Sequence, residues 1–214
     1  MKPLPRLYAI ADATFGNPVN LAKSLFEGGA RLVQVRNKKA GAREFLTQVE
    51  EILKMAPEDA CVIANDRVDI ALIAGAGGVH LGQTDLDPAL ARTILSHRRI
   101  IGWSTHNLEQ ALRADQSAAD YIAAGPVFST QTKPGAEPAI GFDGLREICA
   151  RVHKPVVAIG GITLDSAADV LACGASSVAA ISGLVGGGDV VQKTKEWVER
   201  LGSPLKLDQV DGKG

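Results

Sequence analysis

Residues 61–85, CVIANDRVDIALIAGAGGVHLGQTD, constrain this chain more than any other stretch. Two apolar runs, 62–64 and 78–81, each break into polar residues at the C-terminal end. Asn65 and Asp66 follow the first, and Gly82, Gln83, Thr84 and Asp85 follow the second. Between them, Val68, Ile70, Ala71, Leu72 and Ala74 suit a short amphipathic helix, which the glycine-rich 75–78 stops. The unit is strand–helix–strand with a carboxylate at the end of each strand. Strands joined by a crossover helix lie parallel, so both carboxylates fall on one rim of the sheet.

The rest of the chain repeats the plan. Strands are expected at 7–11, 32–36, 62–64, 78–81, 100–104, 121–125, 155–159 and 177–182. Helical patterns fall between and after them. Asn17-Pro18 and Asp87-Pro88 open two of the helices, and 43–55, 108–114, 142–152, 165–173 and 190–201 carry the others. Eight such repeats in about 200 residues predict a closed (β/α)8 barrel. The alternative, an open doubly wound sheet, favours a glycine-rich turn after the first strand, and none is present. The 46% apolar but only 4% aromatic composition builds the core from Ala, Val, Ile and Leu, as strands buried on both faces require. The 214 residues read as one domain, with a core from about 7 to 201 and a polar tail, 202–214, expected to fray.

Charge and cysteine usage narrow the function. Lys and Arg number 23 against 24 Asp and Glu, so no basic excess points to nucleic acid. Cys61, Cys149 and Cys173 are unpatterned and read as reduced thiols of a cytoplasmic protein. No secretory leader is recognisable, and no apolar segment reaches the roughly 18 residues of a membrane helix.

In a barrel the C-terminal strand ends converge on one mouth, where active sites sit. Here those ends carry Asp12, then Gln34, Arg36 and Lys38, Asn65 and Asp66, Gln83 and Asp85, and Ser104 and His106. The later strands add Gly125, Thr130, Thr132 and Lys133, then Gly160 and Gly161, and finally Ile181, Ser182 and Gly183. No pair among them looks like a nucleophile and its base. Arg36, Lys38 and Lys133 suit a polyanion such as phosphate, although solvated loop charges are the alternative. Asp66 and Asp85 suit a magnesium ion held by carboxylates and substrate phosphates. Alternatively, Asp66 caps the following helix and Asp85 is a turn residue. The four histidines are dispersed, which weakens transition-metal binding. The glycines after strands seven and eight suit a phosphate cup of backbone N–H groups, or else tight turns at positive φ. His106 reads equally as a substrate or proton-handling group and as a structural one, whereas His80, inside a strand, reads as a satisfied core residue.

In this order the residues resemble the thiamine phosphate synthase family. The matching pieces are Gln34-Val35-Arg36-Asn37-Lys38, Asn65-Asp66, 79–85, Ser104-Thr105-His106, 125–128, 130–133, 159–162 and Ile181-Ser182-Gly183, spread over about 7 to 190. The chain departs from the family pattern at Val35, Asn37 and Ala123-Ala124. The resemblance implies transfer of a pyrimidinylmethyl group with magnesium, one ion per active site. Hydroxymethylpyrimidine diphosphate and hydroxyethylthiazole phosphate, or its carboxylated form, would give thiamine phosphate and pyrophosphate, the diphosphate leaving first. Asp66 and Asp85 would then hold magnesium, and Arg36, Lys38, Asn65, Ser104 and Lys133 the diphosphate. Gln34 would contact the pyrimidine, and Thr130, Thr132, Gly161, Ile181 and Ser182 the thiazole phosphate. The loop 129–138 would be the lid. The partners implied are small molecules, with a homo-oligomer allowed and neither nucleic acid nor membrane involved. A thiazole tautomerase on the same barrel needs no metal carboxylates or diphosphate cluster, and a non-catalytic phosphate sensor needs neither either.

Overall fold

A computed structural model of the chain describes residues 3–130 and 137–202. Eight strands close into a barrel in chain order: β1 (Leu7–Asp12), β2 (Leu32–Arg36), β3 (Cys61–Asn65), β4 (Gly78–Leu81), β5 (Ile100–Thr105), β6 (Tyr121–Ala124), β7 (Val156–Ile159) and β8 (Ser177–Ala180). All neighbours are parallel, and β1 seals the ring on β8 through the pairs Leu7–Val178, Tyr8–Ala179 and Ala9–Ala180. This is the expected (β/α)8 architecture. The helices are α1 (Pro18–Glu27), α2 (Ala42–Met55), α3 (Val68–Ala74), α4 (Pro88–Ile94), α5 (Leu108–Asp115), α6 (Gly141–Arg151), α7 (Ala167–Ala172), α8 (Ser182–Val185) and α9 (Val190–Leu201). None among the described residues is long and apolar enough to cross a membrane.

The two-residue period of each strand divides the interior into two cores. On β1, Leu7, Ala9 and Ala11 face outward and join Leu25, Val49, Ile52 and Leu145 in the core that lies under the helices. Tyr8 and Ile10 face the lumen with Leu32, Ile63, Tyr121 and Val157. Because both faces are buried, the strands read as nearly continuous apolar runs. Each fully buried aliphatic side chain contributes about 1.5–3 kcal/mol.

Helix starts follow the local chemistry. The Asn17 side chain accepts from Val19 N at 2.8 Å, with Pro18 in the first turn. Asp87 accepts from Ala89 N at 2.8 Å, Asn107 from Gln110 N at 2.9 Å and Asp189 from Gln192 N at 3.0 Å. Such caps are worth about 1 kcal/mol each. Several boundaries shift by one residue from the expected ones, and two shift by two. Helix α7 starts at Ala167 rather than 165, because Thr163 N donates to Ser166 Oγ at 3.0 Å and holds the preceding residues in a turn. Strand β8 stops at Ala180, and Ser182 opens the four-residue α8, which the sequence reading did not contain.

One glycine sets the shape of the lumen. Gly102 on β5 pairs with Tyr121 on β6. A Cβ at residue 102 would sit 2.0 Å from Tyr121 Cζ and 2.3 Å from its hydroxyl oxygen. The missing side chain is therefore the space that the tyrosine ring occupies. Gly102→Ala is expected to overpack the lumen by about 1–3 kcal/mol. Thermal unfolding should show this as a fall of roughly 2–12 °C for a chain of this size. An unchanged midpoint would mean that the ring has room to move.

Candidate active site

The strand ends place the expected residues on one C-terminal rim. At β1 and β2, the buried Asp12 carboxylate accepts from Thr14 N at 2.9 Å, from the Thr14 hydroxyl and from the Arg36 guanidinium. Arg36 is thus clamped from below, and a guanidinium carries five N–H donors, so others remain for a ligand. A cleft of about 370 Å³ opens here, lined by Asp12, Thr14, Arg36, Asn37, Lys38 and Glu44 among others.

Next along the rim, Lys38 Nζ lies 3.1 Å from Asp66 Oδ2. Asp66 is held at φ 61°, a left-handed conformation few non-glycine residues adopt, and its N–H donates to the His80 carbonyl at 2.8 Å. It does not cap α3: the capping position is Arg67, and no side chain serves it. Asp85 Oδ2 accepts from Gly82 N at 2.7 Å, so the turn reading of Asp85 holds. Burial pushes the Asp85 carboxyl above its ordinary range. The Gly82 N–H works against that rise, and the neighbouring Asp66 carboxyl adds to it. Two neighbouring carboxylates offer hard oxygen ligands of the kind magnesium takes. Among the described residues no group of three or more His, Cys, Asp and Glu could hold a metal, so any ion here would complete its shell from substrate and water.

Gln34, Asn65 and Ser104 lie just inside the rim. Gln34 Nε2 donates to the Tyr8 hydroxyl at 3.0 Å. The Tyr8 and Tyr121 hydroxyls are 2.9 Å apart, Tyr121 lies 2.8 Å from His80 Nδ1, and His80 Nε2 lies 2.9 Å from Ser104 Oγ. The His80 and Tyr121 rings stack with centroids 5.6 Å apart. His80 is the satisfied core residue expected, but one of its partners is a site residue. Sequence reasoning missed Tyr8 and Tyr121, whose one available signal was an aromatic at an inward position of an otherwise small apolar strand. Asn65 ends β3 opposite His80.

The far rim belongs to β6, β7 and β8. His106 Nδ1 donates to the Gly125 carbonyl at 2.7 Å, which ties the ring to the base of the following loop. Gly160 and Gly161 have φ 99° and 65°, so the tight-turn reading holds for both. The chain doubles back there, with Phe128 N donating to Gly160 O at 3.0 Å, and a Cβ on Gly161 would meet Ser129 O at 2.6 Å. After β8, the Ile181 carbonyl accepts the first helical bonds, from Leu184 N and Val185 N at 2.9 Å each. The N–H groups of Ser182 and Gly183 precede those bonds and look outside the helix for an acceptor. Thr130 closes the described part of the loop. Thr132, Lys133 and most of the expected lid lie outside the described residues.

A larger groove of about 490 Å³ lies at the opposite, N-terminal end, lined by Pro3, Asp115, Asp120, His153 and Lys154 among others. Its polar groups already serve one another. Asp115 accepts from His153 N and Lys154 N at 2.8 and 2.9 Å, Lys154 Nζ donates to two carbonyls, and Asp120 accepts from Arg92 and Ile101 N. The mouth, not this groove, carries uncommitted chemistry.

Fold and site together define a (β/α)8-barrel enzyme with its candidate site at the C-terminal mouth. Residues 7–184 match the family model described as thiamine monophosphate synthase, and the chain belongs to that family. It is 42% identical over 207 residues to a thiamine-phosphate synthase of Koribacter versatilis, covering 94% of this chain and 97% of that one. A second relative of the same description, from Methanoregula boonei, is 43% identical over 199 residues, covering 91% and 92%. The solved thiamine phosphate pyrophosphorylase from Pyrococcus furiosus superposes with a TM-score of 0.84 at 39% identity, covering 92% and 95%. The protein is accordingly a transferase.

Proposed function

We propose that the chain joins hydroxymethylpyrimidine diphosphate to hydroxyethylthiazole phosphate, releasing pyrophosphate and forming thiamine phosphate. The observation that carries this reading is the grouping of Asp66, Asp85 and Lys38 beside the clamped Arg36. That set fits a diphosphate bound with a divalent cation. Asp66 and Asp85 would hold magnesium, which when bound offsets charge on the leaving diphosphate.

The chain's own residues do the rest. Arg36, Lys38, Asn65, Ser104 and Lys133 bind the diphosphate and stabilise the charge that grows as the carbon–oxygen bond breaks. Gln34 orients the pyrimidine. Gly161, Ile181 and Ser182, with Thr130 and Thr132, hold the thiazole phosphate so that its ring nitrogen faces the methylene carbon. The nitrogen lone pair forms the new bond, and the bonding pair of the old one leaves with the diphosphate. No protein nucleophile is required for this step. Water must be kept from the cationic carbon, and the loop 129–138 is the segment suited to exclude it.

A turnover assay with both substrates, run with magnesium and with EDTA, tests this. Metal-dependent thiamine phosphate is the expected product, with EDTA lowering the rate by at least about 10²-fold. If the protein instead exchanges thiazole tautomers without metal and makes no thiamine phosphate, the synthase reading fails and His106 becomes the group to replace.

A further inference from the structure

Five polar side chains on five different strands cross the lumen in one line. Gln34 stands on β2, Tyr8 on β1, Tyr121 on β6, His80 on β4 and Ser104 on β5. All but Ser104 are buried, and Ser104 is half-buried at the strand end that opens to the mouth. Each step is a hydrogen bond of 2.8–3.0 Å. Burial pushes both tyrosine hydroxyls well above their ordinary pKa, so each keeps its single proton.

We propose that Tyr8, Tyr121 and His80 form a one-way hydrogen-bond chain that fixes the Ser104 hydroxyl as a donor into the mouth. This inference rests on the synthase reading, in which the two ends of the chain hold the two halves of one substrate. Proton counting sets the direction. The Gln34 amide nitrogen can only donate, so it takes a lone pair of the Tyr8 oxygen. The single Tyr8 proton then goes to Tyr121, and the Tyr121 proton to His80 Nδ1. A neutral imidazole with an accepting Nδ1 carries its proton on Nε2, which donates to Ser104 Oγ. None of the other four side chains takes the serine's own proton, and a diphosphate oxygen is the acceptor expected there. The reverse order would aim the Tyr8 proton at an amide N–H in a fully buried site, and an unsatisfied buried donor costs about 1–3 kcal/mol.

Two consequences follow for catalysis. Each bond polarises the next, strengthening the terminal donor by roughly 10–30% per bond. A donor already aimed needs no reorganisation as charge develops on the leaving group. Tyr8, Tyr121 and His80 are on this account positioning residues that act through Ser104 and Gln34.

The test is a double-mutant cycle of Tyr121→Phe and Ser104→Ala, read as kcat for thiamine phosphate formation. Tyr121→Phe should lower kcat about tenfold in the parent and leave KM for the pyrimidine diphosphate nearly unchanged. In the Ser104→Ala background the same change should have little further effect. Equal losses in both backgrounds would make Tyr121 a packing residue and overturn the proposal. Histidine-selective 15N NMR of the unaltered protein gives a second reading that needs neither turnover nor a variant. A proton on His80 Nε2 is expected, and one on Nδ1 reverses the chain and overturns the proposal. An active parent enzyme with an additive cycle sinks only this inference, whereas a parent that makes no thiamine phosphate sinks the synthase reading.

Discussion

Asp66→Asn is expected to reduce the rate of thiamine phosphate formation by about 10²–10³-fold, in the range seen when one charge-stabilising group is removed from an active site. Two features make the change informative. Asparagine tolerates the left-handed backbone that residue 66 adopts at φ 61°, so the substitution does not strain the β3 end. The Asp66 N–H bond to the His80 carbonyl is a backbone contact and survives. What disappears is the carboxylate that Lys38 pairs with and that raises Asp85. The Asp85 carboxyl should therefore titrate lower in the variant, with one source of its rise removed. Circular dichroism and the melting midpoint should stay close to the parent. Near-normal turnover at saturating magnesium would remove Asp66 from the proposed metal site, and an unfolded variant would reassign it to structure.

The second large effect is expected at Arg36. Arg36→Ala leaves the Asp12 carboxylate buried without its guanidinium partner, and breaking a buried pair in this way costs about 3–5 kcal/mol. Stability and activity should fall together, so the single variant cannot separate the two roles. The double variant Asp12→Asn with Arg36→Ala does. With the charge at residue 12 neutralised, the melting midpoint should recover most of the loss, while the rate stays about 10²-fold down because the diphosphate has lost a donor. A double variant that regained both would show Arg36 to be a partner of Asp12 and nothing more.

The parts of the molecule that follow local rules were legible in the residues. Asn17-Pro18 and Asp87-Pro88 open helices where the sequence places them, and β2, α3, β4 and α9 have the expected bounds. Asp66, Asp85, Arg36 and Lys38 were readable as a charged set because a parallel crossover puts successive strand ends on one rim. What escaped depends on long range or on very short range. Tyr8 meets Tyr121 across 113 residues and His80 meets Tyr121 across 41, and no periodicity within a strand carries such a pairing. Helix α8 spans four residues, less than the window that a helical pattern needs. Gly102 reads in the sequence as a weak point in a strand, whereas in the barrel it is the seat of the Tyr121 ring.

The seam between β1 and β8 has a bearing on when the molecule becomes active during its synthesis. The Ser177 hydroxyl donates to the Arg6 carbonyl at 3.3 Å across 171 residues, and the strand pairs beside it are equally remote in the chain. Contacts of that separation form late, because the loop entropy of joining the ends must be met before they stabilise anything. A nascent chain that has not yet delivered β8 already contains Asp66, Asp85, Arg36, Lys38 and Ser104. It still lacks the strand beside Tyr8 and the Ser182 and Gly183 N–H groups that follow it. Competence is thus expected to arrive only with the last strand, once β8 has paired with β1.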